Sequence, residues 1–258
     1  LFDHVRTRPA DGLRIALSYE PEILGTGGAL RKAEWFFDGL EPVWVLNADV
    51  VAEVEPMPLL KAYDPRQTMA VAWLHGSRGP RTVEVDRGGI TNFRSKRAGT
   101  PGTFTFCGLQ LVNPKLLDRE AGFLPKEPEF GTVVAAYERA LAAGWRVAGV
   151  EVPDSYWADI GTPAQYLQCH RELKGDSDFS AVHPQARVQP GAKILNSVVG
   201  ARARVGSKAL IENAVVAADS VVNGPVSYLA LPATQAFDRP ALDLLQGAGW
   251  PPERCTAL

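Results

Sequence analysis

Six aliphatic residues, Val182, Val188, Ile194, Val199, Val205 and Ile211, recur at intervals of six, six, five, six and six. Small residues such as Ala186, Gly191, Ala203 and Gly206 stand between them. A hexapeptide period is the pattern of a parallel β-helix, in which each hexad forms one face of a triangular coil and turns its aliphatic side chain inward. Three hexads complete a coil, so Val182 to Val222 supplies about two coils, fewer than the three or more repeats such stacks usually need. The short coil is therefore expected to dock on another domain or another subunit. Homo-oligomerisation, as a dimer or higher, is expected.

Upstream the pattern changes. From Leu13 to Leu173 apolar strand-like runs alternate with helical ones, the habit of a layered α/β domain with a largely parallel sheet. Strands are expected at Arg14–Tyr19, Val43–Leu46, Met69–Leu74, Thr103–Val112 and Arg146–Val152, and helices at Gly28–Phe37, Leu59–Tyr63 and Thr132–Ala142. Val83–Val85 and Ile90–Phe93 flank Asp86-Arg87-Gly88-Gly89, a turn-rich connector of the kind that closes a hairpin. A further helix opens at Thr162, where Thr162, Pro163 and Gln165 supply an N-cap, a first-turn proline and the third-position partner of a capping box. It ends near Leu173. The polar run Lys174 to Ser177 reads as a linker, giving an α/β domain over 1–174, the repeat over 179–226, and an irregular tail or the start of a further domain over 227–258. Pro240–Leu245 is a candidate short helix in that tail.

Composition removes several classes of function. With 258 residues, 46% hydrophobic and 22% charged, the chain is long enough for a sizeable core. No run reaches the roughly 18 to 20 apolar residues of a membrane span, and no secretory leader is recognisable. Twenty-seven basic against 29 acidic residues, a net charge of -2, lack the excess expected of a nucleic-acid or anionic-membrane binder. Cys107, Cys169 and Cys255 fall in no paired metal-ligand spacing, and His4, His75, His170 and His183 are as scattered. A reducing cytoplasm fits this usage. The chain opens at Leu1 without an initiator Met, the reading expected of a fragment.

Three stretches could carry chemistry. Leu24-Gly25-Thr26-Gly27-Gly28 opens a helix, where small residues allow close ligand approach and unpaired N–H groups suit an anion or a base edge. A glycine-rich turn with no ligand reads equally well. Asn47-Ala48-Asp49 stands at the carboxyl end of a strand, where open α/β sheets place ligands and where a carboxylate can hold Mg²⁺ against phosphate oxygens. Trp157-Ala158-Asp159-Ile160-Gly161-Thr162 puts Asp159 at the end of another strand, and either aspartate could equally be a turn or capping residue. Lys96, after Ile90–Phe93, is a phosphate-binding point charge or a solvated surface lysine.

In order, Glu22-x-Leu24-Gly25-Thr26-Gly27-Gly28, Val45-Leu46-Asn47-Ala48-Asp49, Phe104-x-Phe106-Cys107-Gly108-Leu109 and Trp157-Ala158-Asp159-Ile160-Gly161-Thr162-Pro163 resemble the sugar-1-phosphate nucleotidylyltransferases, many of which carry a C-terminal left-handed β-helix. The resemblance covers Leu13 to Val222. It implies a Rossmann-like layered nucleotidyltransferase domain with a mixed, mostly parallel sheet, followed by a short left-handed parallel β-helix. It also implies a Mg²⁺-dependent transfer of a nucleotidyl group from a nucleoside triphosphate to a sugar 1-phosphate, with release of pyrophosphate. By the family pattern Asp49 and Asp159 hold the metal and Lys96 sits on the sugar phosphate. Leu24, Gly25, Thr26, Gly27, Gly28 and Asn47 line the nucleotide, and Gly108 and Glu129 face the sugar. Such a reaction asks the protein for in-line positioning and charge neutralisation.

The chain departs from the pattern in three places. The family's opening glycine-rich loop and the Pro-Lys after it have no match in Leu1 to Leu24, Ser95-Lys96-Arg97 stands where the family has Glu-Lys-Pro, and Arg81 replaces a glycine before the hairpin strand. Thr103 to Gly108 resembles compact bacterial members that act on mannose-, heptose- or N-acetylmuramate-type 1-phosphates. Leu242 to Leu258 resembles the opening of a small-molecule kinase domain of the aminoglycoside-phosphotransferase type. The competing readings are a non-catalytic sugar-nucleotide-binding or regulatory subunit, and a hexapeptide acyltransferase, which would need more coils and a catalytic histidine.

Overall fold

Thr68–His75 is buried along its whole length, as a strand covered on both faces must be. It is the centre of one of two units in this computed structural model, which describes residues 15–37, 42–124, 131–153, 155–175, 179–227 and 230–231. The described residues of the first unit fall within Leu1–Ala48 and Ala52–Trp157, and those of the second within Asp49–Val51 and Ala158–Leu258. In chain order the elements are α1 (Gly25–Lys32), α2 (Glu34–Phe37), β1 (Val43–Leu46), β2 (Val50–Ala52), α3 (Pro56–Lys61), β3 (Thr68–His75), β4 (Val83–Asp86), β5 (Gly89–Asn92), β6 (Thr103–Val112), α4 (Pro114–Leu117), α5 (Val133–Ala142), β7 (Arg146–Glu151), β8 (Trp157–Asp159) and α6 (Pro163–Lys174).

The first unit holds a six-stranded sheet in the order β1-β6-β3-β7-β5-β4, with β4 returning to pair with β6. The sheet is mixed, but the expectation of a mostly parallel one is corrected. Among the described residues β3–β7 is its parallel pair, whereas β1–β6, β3–β6, β4–β5, β4–β6 and β5–β7 run antiparallel. The tight turn at Arg87-Gly88 permits only an antiparallel β4–β5 pair, and the ten-residue β6 runs back between β1 and β3. Val133, Ala136, Tyr137 and Ala140 form the buried stripe of α5 and pack with Met69, Ala70, Ala72 and Leu74 of β3 in the core. Fully burying a valine, leucine or methionine side chain contributes roughly 1.5–3 kcal/mol, and each alanine methyl less.

Ile15–Tyr19, expected as part of a strand, finds no partner strand among the described residues, and Tyr19 is 79% exposed. The helix expected over Gly28–Phe37 begins earlier and is broken at Ala33, so that Glu34–Phe37 forms a separate turn. Pro240–Leu245 lies outside the described residues.

The second unit steps by 17 residues, the interval separating Arg187 from Arg204 and Arg204 from Val221 in parallel register, shortening to 15 where Ile211 pairs with Val226 and Val215 with Ala230. Short strands recur in rotation through three parallel sheets. The first holds β9 (Ser180–Val182), β12 (Ser197–Val199), β15 (Val215–Val216) and β18 (Ala230–Leu231). The second stacks β10 (Arg187–Val188), β13 (Arg204–Val205) and β16 (Val221–Val222), and the third β11 (Lys193–Leu195), β14 (Leu210–Glu212) and β17 (Val226–Ser227). Val199, Val205, Ile211, Val216 and Val222 fill the interior with Ala203, Ala209 and Ala214. The first-coil residues Val182 and Val188 remain exposed. The second unit takes in Ala158 onward, and within it α6 buries Leu167 against Phe179 and Val198 of the coil.

Candidate functional site

Asp49 precedes β2 and Asp159 ends β8, 110 positions apart in the chain, yet both carboxylates flank Gly161. A methyl group on Gly161 would stand 3.1 Å from Asp159 Oδ1 and 3.3 Å from Asp49 Oδ2, so those oxygens are no farther apart than the two distances together. The backbone holds the pair: Ile160 N–H donates to the Asp49 carbonyl at 2.9 Å, and Gly161 N–H donates to Asp159 Oδ1 at 2.8 Å. Asp49 is exposed and Asp159 half-buried, and neither is ion-paired to a Lys, Arg or His among the described residues. Two adjacent carboxylates without a protein cation repel each other, a charge arrangement that a hard divalent ion relieves. The donor set fits Mg²⁺, which takes one or two carboxylates and completes its shell with water and phosphate oxygens. No group of three or more His, Cys, Asp or Glu able to hold a metal occurs among the described residues.

Asn47 and Gly108 meet within the first unit. Pairing of β3 with β6 shifts between Ala72 and Leu74, leaving Cys107, Gly108 and Leu109 as a bulge. Gly108 takes φ +80 there, and a Cβ at this position would lie 2.9 Å from that of Asn47. Only glycine combines that backbone with that approach. Two of the three bulge carbonyls are claimed: Gly108 accepts from Asn47 N–H at 2.8 Å and Cys107 from the Trp157 indole N–H at 2.9 Å. Burial pushes the Cys107 thiol far above the usual range, so it is an inert structural group.

The glycine-rich turn clasps the start of α5. Gly27 N–H and Gly28 N–H donate to the Gly131 carbonyl at 2.8 and 3.4 Å, and Gly131 N–H donates to the Leu24 carbonyl at 2.9 Å. Thr26 Oγ1 accepts from Val133 N–H at 2.9 Å. Gly27 and Gly28 are buried with these N–H groups engaged, whereas Thr26 is exposed and Gly25 and Leu24 half-buried. The turn thus has a structural role, and the surface it leaves to a ligand is the Leu24–Thr26 edge.

Lys96 is exposed, and its ammonium makes no hydrogen bond or ion pair among the described residues. Its neighbours are fixed: Ser95 Oγ donates to Glu84 Oε1 at 2.5 Å, and Arg97 Nη2 lies 3.3 Å from the same oxygen. The Ser95 hydroxyl, aided by the Arg97 charge, holds the Glu84 carboxyl below its usual range. Arg81 adopts φ +47, its N–H donating to Thr105 Oγ1 at 2.9 Å and its guanidinium to the Gly76 and Gly99 carbonyls. Glu129 lies outside the described residues.

The sequence left His75 and Arg78 without a role. His75 Nδ1 accepts the N–H groups of Ser77 and Arg78 at 3.2 and 3.1 Å, and its Nε2 faces the Ser155 carbonyl at 3.3 Å, which assigns the proton to Nε2. The Arg78 guanidinium lies 4.9 Å over the Tyr156 ring and donates to the Trp157 carbonyl at 3.3 Å. No local signal reveals contacts between residues about 80 positions apart.

Residues 1–175 match the family model described as nucleotidyl transferase. The chain belongs to that family. The chain is 26% identical over 223 residues to the mannose-1-phosphate guanylyltransferase of Mycobacterium tuberculosis, covering 80% of this chain and 60% of that protein. It is 29% identical over 209 residues to the probable mannose-1-phosphate guanylyltransferase 2 of Oryza sativa subsp. japonica, covering 78% and 55%. The chain thus spans less than two thirds of the length of these relatives. Among solved structures, a putative glucose-1-phosphate thymidylyltransferase from Bacillus anthracis in complex with a sucrose aligns at a TM-score of 0.47 with 18% identity, covering 62% of this chain and 65% of that one.

Proposed function

We propose that the chain carries the acceptor and metal-binding part of a Mg²⁺-dependent sugar-1-phosphate nucleotidylyltransferase. A phosphate oxygen of the sugar 1-phosphate attacks the α-phosphorus of a nucleoside triphosphate, the α–β P–O bond breaks, and pyrophosphate leaves. The observation that carries this reading is the carboxylate pair around Gly161, Asp49 exposed and Asp159 half-buried and neither ion-paired among the described residues, in a chain of the nucleotidyl transferase family. Mg²⁺ bound there would neutralise phosphate charge. Asp49 and Asp159 would hold the ion through their carboxylate oxygens, Lys96 offers an unpaired ammonium to the sugar phosphate, and the Leu24–Thr26 edge with Asn47 serves the nucleotide. The β6 bulge at Gly108 presents backbone to the sugar, and Glu129 supplies a hydroxyl acceptor.

The names of the relatives support GTP and mannose 1-phosphate as the first substrate pair to test. We further infer that the C-terminal coil is a left-handed β-helix, that the exposed Val182 and Val188 serve self-association, and that the protein works in the cytoplasm. A pyrophosphate-release panel crossing the common nucleoside triphosphates with hexose and heptose 1-phosphates, with and without Mg²⁺, tests the function. Release that needs both a sugar 1-phosphate and Mg²⁺ is expected, and no pair giving release above blank would overturn it.

A further inference from the structure

A groove of about 510 Å³ on the coil is lined by Gln185, Arg187, Arg202, Arg204, Asp219 and Val221. Their positions form two columns, 185, 202 and 219 beside 187, 204 and 221, each stepping by the 17 residues of one coil. Arg187 is in parallel register with Arg204, and Arg204 with Val221. Paired strands lie about 4.8 Å apart, so two exposed guanidinium side chains are placed directly opposite each other, a like-charge pairing that works against the sheet. Neither makes a hydrogen bond or ion pair among the described residues.

The third guanidinium is paired with a carboxylate. Arg202 donates from Nε and Nη2 to the two carboxylate oxygens of Asp219, both at 2.6 Å, and this contact holds the Asp219 carboxyl below its usual range. Arg202 takes φ +59, whereas the coil's other left-handed non-glycine residues are Asn196, Asn213 and Asp219. Short polar side chains tolerate that conformation and long ones enter it at a cost. Turn geometry alone would favour Asn at 202, so the arginine is there for its charge. Three guanidinium groups against one carboxylate leave the groove with two net positive charges in a chain whose net charge is -2.

We propose that this groove binds a small phosphate-bearing anion, gripped by Arg187 and Arg204 and flanked by Arg202, whose guanidinium is paired with Asp219. The guanidinium fork matches phosphate oxygens two at a time, and the groove has the size of a small-molecule site. None of its residues belongs to the carboxylate pair or to the glycine-rich turn.

The test is calorimetric titration of the full chain with inorganic pyrophosphate in EDTA, so that Mg²⁺-dependent binding is silent. Wild-type protein and the Asp49→Asn/Asp159→Asn variant are expected to bind alike, and Arg187→Gln/Arg204→Gln to bind at least tenfold more weakly with an unchanged thermal transition. Gln185→Glu, which adds a negative charge at an exposed position without touching the arginines, is expected to weaken binding in the same direction. Equal affinity in wild type and both groove variants would overturn the proposal, as would loss of binding in the aspartate variant. A groove variant that changes the mass by light scattering while keeping anion affinity would also overturn it, marking the groove as an interface between copies.

Discussion

Gly161 is where one methyl group decides between two outcomes. A Cβ there would crowd Asp159 Oδ1 and Asp49 Oδ2 at 3.1 and 3.3 Å, so Gly161→Ala is expected to splay the carboxylates. Activity should fall by about 10²-fold, the effect of a small misplacement at a reacting centre, with little change in thermal stability. Activity within twofold of wild type would show that the oxygens do not work as a pair. Both aspartates were legible in the sequence because each closes a strand-like run, and only the family resemblance put them together; the backbone contact that joins them across 110 positions, Ile160 N–H to the Asp49 carbonyl, has no local signal. Gly108 was legible as a special residue, yet the reason, a bulge in β6 pressed on Asn47, exists only once β3 and β6 are in register. Arg187 and Arg204 carry no local signal, and only the 17-residue step stacks them.

Among the elements, α6 ties a helix to the coil. Leu167 is buried against Phe179 and Val198, and Leu167→Ala is expected to cost about 2–5 kcal/mol by urea unfolding, as for other buried leucines. A loss under about 1 kcal/mol would mean that the contact adds little to the coil. The start of α6 was legible in full: Thr162 Oγ1 accepts from Gln165 N–H at 3.3 Å and donates to Gln165 Oε1 at 2.7 Å, with Pro163 in the first turn. The hairpin β4–β5 and the strands β1, β3 and β6 were legible for the same reason, strong local patterns with turn residues between them. Strand direction was not, because neighbours in a sheet are chosen by burial over long separations. Ile15–Tyr19 has an apolar rhythm without a partner strand among the described residues.

For the whole molecule, acid lability follows from three groups. Burial, reinforced by the Lys174 charge, lowers the His170 pKa below its ordinary 6.5, where the ring stacks on Phe179 at 6.1 Å. The unfolded chain therefore takes up this proton first, and stability is full above pH 6.5 and declines as pH falls below it. Glu84, held down by Ser95, and Asp219, held down by Arg202, contribute stability above the ordinary carboxylate range that is lost as pH falls through their lowered values. Thermal melts from pH 8 to pH 3 should show a first decline below pH 6.5 that His170→Gln removes and a second in the carboxylate range that it leaves. A single decline confined to the carboxylate range would assign no part of the lability to His170. Joint holding of a divalent ion by Asp49 and Asp159 is measurable by electron paramagnetic resonance titration of Mn²⁺ in the presence of a nucleoside triphosphate. One Mn²⁺ held in the ternary complex and released at least tenfold more readily by both Asp49→Asn and Asp159→Asn is expected, whereas equal Mn²⁺ retention by wild type and both variants would contradict joint holding of the ion.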